Sequence, residues 1–118
     1  MKLLNSKTHG IVDYIFVLFL WASPILFHLP EKTALFIYAL GTIHLLLTVA
    51  TNFKFGIVKL IPFQFHGWIE LIVSIAMVGI AFYFGSLEGI VARNYCLAVA
   101  VVVFATWLVT GYSEVKEK

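Results

Sequence analysis

Charge is what this chain has least of. Asp, Glu, Lys and Arg make up 12% of its 118 residues, about half the usual share of a soluble domain, while apolar residues reach 62%. That balance excludes an ordinary soluble fold and points to the bilayer as the main partner. Cysteine occurs once, as Cys96, which excludes an internal disulfide and a cysteine-based metal cage. A net charge of +2 without a dense basic cluster gives no reason to invoke nucleic acid. A glycine-rich phosphate loop, a nucleophile elbow and a His-Glu-x-x-His signature are all missing, so no motif argues for catalysis.

What the chain does have is apolar length. Four runs, roughly 10–29, 34–52, 67–86 and 94–112, each approach the ~20 residues a helix needs to cross a bilayer. The expected fold is all-α: a polytopic membrane protein with four transmembrane helices. "MKLLNSK" resembles the start of a secretory signal, but Asp13 interrupts the run and Pro24 occupies the cleavage region, so the first helix is expected to be retained. Pro24 is also expected to kink or end that helix, with Ser23 helping to satisfy the freed backbone. Lys2, Lys7, Lys54, Lys59, Lys116 and Lys118 fall on the tails and central loop, and only Lys32 and Arg93 on the opposite side. This six-to-two split predicts cytoplasmic termini, with a bacterial inner membrane as the setting.

The far-side loops, "HLPEKT" and "SLEG", are short, so each half is expected to be an antiparallel hairpin. The central "NFKFGIVKLIPFQF" (52–65) mixes Phe, Ile and Leu with Lys54 and Lys59, a composition suited to an interfacial segment that Pro62 would end. The halves also echo each other. "HGIVDY" begins at His9 and "HGWIEL" at His66, which lays Gly10 on Gly67 and Asp13 on Glu70; a further two-residue shift lays Thr51 on Thr110 and Phe53 on Tyr112. This predicts one transmembrane domain built as two parallel repeats, about 8–52 and 66–112, joined by a connector at about 53–65.

Those motifs, with "ASPILF" and "HLLLTVATNFKFGIVKLIP", resemble the small bacterial membrane proteins with SPW repeats. The resemblance covers about residues 8–85. It departs at Ile25, where the family has tryptophan after Ser-Pro, and the second repeat lacks Ser-Pro-Trp altogether. It implies two tandem hairpins in a membrane and transfers no activity.

The polar residues gather toward one end of the predicted helices. His9 with Asp13, and His66 with Glu70, share helix faces at a four-residue spacing. Thr48 and Thr51 near the end of the second helix and Thr106 and Thr110 in the fourth reach similar depths, while His44 lies about two turns from that end. The leading expectation is a structural cluster in which carboxylates, imidazoles and hydroxyls bridge helices. A second expectation is a divalent metal held by His9, Asp13, His66 and Glu70, with His44 a further ligand, or haem held by two of His9, His44 and His66. A third is a proton or ion pathway in an oligomer. Small residues at Gly41, Gly79, Ala98 and Ala100 are compatible with a homo-oligomer.

Overall fold

The computed structural model describes residues 5–52 and 56–110. Among these, four helices follow one another: α1 (Ser6–Leu26), α2 (Glu31–Val49), α3 (Phe63–Glu88) and α4 (Ile90–Leu108). All are long and apolar enough to cross a membrane. Two short strands, β1 (Thr51–Asn52) and β2 (Ile61–Pro62), pair in parallel between α2 and α3. The expected all-α membrane architecture of two hairpins is what forms, since α1 packs along α2 and α3 along α4.

Each helix begins three or four residues before its apolar run. Asn5 caps α1 by accepting a hydrogen bond from the Thr8 backbone N–H at 2.9 Å. Pro24 lies inside the last turn of α1, which ends two residues later at Leu26. The Ser23 hydroxyl donates to the Phe19 carbonyl at 2.7 Å, not to the Leu20 carbonyl that Pro24 deprives of its helical partner.

The connector differs from its expected form. Pro62 stands at the N-cap just before α3 instead of ending a helix, with φ −58°, and Phe63, Gln64 and Phe65 form the first turn. Residues 56–60 are not helical. They fold back over the end of α2: Ile57 and Val58 donate to the Val49 carbonyl, and Leu60 and Ile61 to that of Ala50, at 2.8–3.1 Å. Helix-terminal carbonyls that would lack partners are thereby satisfied. The fold-back also carries the start of α3 to the end of α2. Ile57, Val58 and Leu60 stay exposed, as an interfacial segment requires. Phe53, Lys54 and Phe55 lie outside the described residues, as do Lys2, Tyr112, Lys116 and Lys118, on which part of the repeat and orientation arguments rest.

Within a hairpin the helices come close through small residues. A Cβ on Gly41 would sit 2.8 Å from Trp21 Cδ1, and one on Gly85 2.8 Å from Arg93 Cβ. Gly41 and Ala100 are buried inside the chain, so they do not form outward patches; Gly79 and Ala98 remain at the surface. The apolar core, with Leu20, Ile37, Met77, Ala81, Cys96 and Val99, fills the middle of the bundle. Outward positions such as Leu18, Ile25, Leu46, Ile72 and Val101 are mostly exposed, an apolar surface suited to lipid. Between hairpins close backbone approach is sparse.

Candidate functional site

The polar centre is built from two helix starts. His9 and Asp13 are one turn apart on α1, and His66 and Glu70 one turn apart on α3, so each pair projects from a single face. The fold puts these faces against each other, and none of the four residues is more than 4% exposed. His9 Nε2 lies 3.2 Å from Asp13 Oδ2 and 3.1 Å from both Glu70 oxygens. His66 Nε2 lies 3.0 Å from Asp13 Oδ2 and 2.9 Å from Glu70 Oε2. Each imidazole therefore meets the carboxylate of its own hairpin and that of the other. The four ligand-type atoms lie within 4.8 Å of one another.

The outer ring nitrogens are held with the same crosswise logic. His9 Nδ1 is 2.9 Å from the hydroxyl of Thr110, at the end of α4, and His66 Nδ1 is 2.7 Å from that of Thr51, after α2. Each histidine is thus anchored by a threonine from the opposite hairpin. Both hydroxyls also contact a helix carbonyl, Thr110 that of Thr106 at 2.5 Å and Thr51 that of Leu47 at 2.6 Å. A hydroxyl and a carbonyl so close must share the hydroxyl proton, so each threonine donates to its carbonyl. The threonine oxygen then accepts from the imidazole, and both histidines carry a proton on Nδ1. Phe63 completes the packing, edge-on to His9 at 5.4 Å and stacked on His66 at 6.0 Å between centroids.

His44 breaks the correspondence between halves. Its Nε2 is 3.5 Å from Asp13 Oδ1, an ion-pair contact at the outer limit of a hydrogen bond, and makes no closer one. The position matching it, under the register that lays Thr51 on Thr110, is Val103, which lines the same small cavity. Thr48 is buried but donates to the carbonyl of its own helix at His44, 2.8 Å away.

Of the residues singled out from sequence, His9, Asp13, His66, Glu70 and Thr51 come together, His44 stands at the edge, and Thr48 serves its own helix. Thr110 and Phe63 belong to the centre although they were not among the expected site residues. The signal for Thr110 was available, since it is the position that superposes on Thr51. A second contact between hairpins, at the other end, was not anticipated. Glu88, at the end of α3, accepts hydrogen bonds from the backbone N–H of Lys32 (2.9 Å) and Thr33 (2.7 Å) and from the Thr33 hydroxyl (2.7 Å), capping the start of α2.

Set against known proteins, the chain matches no family model, no curated protein and no solved structure. The geometry alone carries the functional reading.

Proposed function

We propose that this chain is a small integral membrane protein, of two repeated hairpins with cytoplasmic termini, whose function centres on a charge-compensated polar lock joining the hairpins near the cytoplasmic face. The observation that carries this is the placement of each imidazole Nε2 between one carboxylate of its own hairpin and one of the other. Two imidazolium groups and two carboxylates sum to zero charge, which lowers the cost of burying any one of them. In a bilayer, where apolar surface gives helices little reason to associate, such polar contacts supply specificity of assembly. A relation to the SPW-repeat proteins in a bacterial inner membrane accords with the quoted motifs.

The lock is favoured over a proton or ion pathway by what lies beyond it. Next to it in the bundle lies an apolar cluster that includes Leu20, Ile37, Met77, Ala81, Cys96 and Val99, and the Ser74 hydroxyl there is spent on the Leu71 carbonyl. A path would have to cross this apolar stretch before reaching the buried Ser23, Thr33 and Tyr95 hydroxyls toward the other end.

The test is to express the two hairpins as separate chains in one membrane. They should co-purify, and His9→Ala or Glu70→Gln should abolish co-purification while each hairpin still inserts. Hairpins that stay together regardless of these substitutions would refute the lock. A reporter active only outside the cytoplasm, fused to the C-terminus, should be silent.

A further inference from the structure

We propose that the polar centre is a divalent transition-metal site, with His9 Nε2, His66 Nε2, one Asp13 oxygen and one Glu70 oxygen as ligands; this rests on the reading of these four residues as one functional cluster. The argument starts from proton accounting. Because Thr51 and Thr110 spend their hydroxyl protons on the Leu47 and Thr106 carbonyls, both imidazoles are protonated at Nδ1. In the neutral imidazoles the remaining lone pairs, on Nε2, point inward at two carboxylates. Four electron-rich groups facing one another require positive charge between them. Two protons can supply it, one on each Nε2, and so can one divalent cation, which balances the two carboxylates with both imidazoles neutral.

The contacts converge on a centre in a way that discrete hydrogen bonds do not require. Asp13 Oδ2 is shared between His66 at 3.0 Å and His9 at 3.2 Å. Glu70 presents both oxygens to His9 at 3.1 Å, while its Oε2 also meets His66 at 2.9 Å. A single N–H points along one line and cannot serve two or three equidistant oxygens well. A tetrahedral metal with bonds of about 2.0–2.2 Å places neighbouring ligand atoms about 3.3–3.5 Å apart. The four imidazole–carboxylate contacts need to lengthen by only a few tenths of an ångström, while the two remaining pairs, which lie within 4.8 Å, close toward the same distance.

The surroundings are those a metal site needs. Metal-bound histidines hold their other ring nitrogen to an oxygen, which sets tautomer and orientation, and Thr51 and Thr110 do so here from opposite hairpins. His44 Nε2 lies 3.5 Å from Asp13 Oδ1, the oxygen not shared by the two histidines, within ion-pair reach, and is placed to position that carboxylate. Two imidazoles with two carboxylates suit zinc, cobalt or iron better than magnesium or calcium, which prefer all-oxygen shells. Haem does not fit: the cavities touching the cluster hold about 60 and 20 Å³, against about 300–1,000 Å³ for a small-molecule site.

The experiment uses the full chain, purified with a non-histidine tag, stripped with chelator and titrated with Co²⁺ and then Zn²⁺. The proposal expects one Co²⁺ per chain, the strong visible absorption of a four-coordinate ion, and its displacement by Zn²⁺. His9→Gln and His66→Gln should abolish this spectrum, and Thr51→Val, Thr110→Val and His44→Val should each weaken binding about 10–100-fold. Absence of binding at millimolar Co²⁺, or binding with the pale spectrum of a six-coordinate ion that survives His66→Gln, overturns the proposal. The wild-type titration decides even where a variant fails to fold. A wild type without Co²⁺ whose separated hairpins still depend on Glu70 would leave the lock standing and the metal refuted. Bound Co²⁺ together with hairpins indifferent to Glu70→Gln would do the reverse.

Discussion

The two ends of the bundle solve one problem with different chemistry. At both, an acid on α3 reaches across to the first hairpin, and Glu70 and Glu88 are 18 residues apart, five helical turns, so they lie on one face of α3 about 27 Å apart. Glu70 is buried and is met by His9 and His66, with threonine hydroxyls behind the rings. Glu88 sits at the end of its helix and is met by two backbone N–H groups and the Thr33 hydroxyl at the start of α2. The contrast shows what depth demands. At a helix end, the N–H groups left without intrahelical partners and the helix dipole suffice for a carboxylate. Inside the bundle a carboxylate needs compensating charge, and the charge needs hydrogen bonds of its own.

The widest separation between the ends should come from charge removal. Glu70→Gln keeps the shape but leaves two histidines facing one carboxylate, and should cost about 3–5 kcal/mol of stability, measured by reversible unfolding in a lipid–detergent mixture. Replacing His9, Asp13, His66 and Glu70 together with Leu or Met should cost less than that single change, since no uncompensated charge remains. A quadruple variant less stable than Glu70→Gln would show that packing, and not charge compensation, governs the centre.

Next come the threonines. Thr51→Val and Thr110→Val each strand a buried Nδ1–H and should cost about 1–3 kcal/mol, by nearly equal amounts because each hydroxyl makes the same two contacts, one to an imidazole and one to a helix carbonyl. Unequal costs, measured in the same unfolding assay, would break the correspondence between halves. The smallest effect belongs to the far end. Glu88→Gln keeps the acceptor and loses the charge, so its midpoint shift should fall below that of either threonine variant and shrink further as salt is raised.

Much of this was legible in the sequence, for identifiable reasons. The four apolar runs give the helices because span length is set by the bilayer. The His-Gly-x-x-acid motif gives two polar faces because four residues make about one turn. The two-residue shift that lays Thr51 on Thr110 pointed to equivalent positions, yet not to the crosswise bonding, which depends on how the hairpins dock. The connector misled because Pro62 reads both as a helix stop and as a helix start, and the fold-back onto Val49 and Ala50 decides between them. Glu88 was read as part of a loop; its five-turn spacing from Glu70 could have found it, had the length of α3 been known.

The account stands most directly on the contact between His9 of one hairpin and Glu70 of the other. A double-mutant cycle with His9→Ala and Glu70→Ala, followed by unfolding in lipid, measures it. The expected coupling is about 0.5–3 kcal/mol, with a matching value for the equivalent pair His66 and Asp13. Costs that simply add, to within about 0.3–0.5 kcal/mol, would contradict a lock between the hairpins.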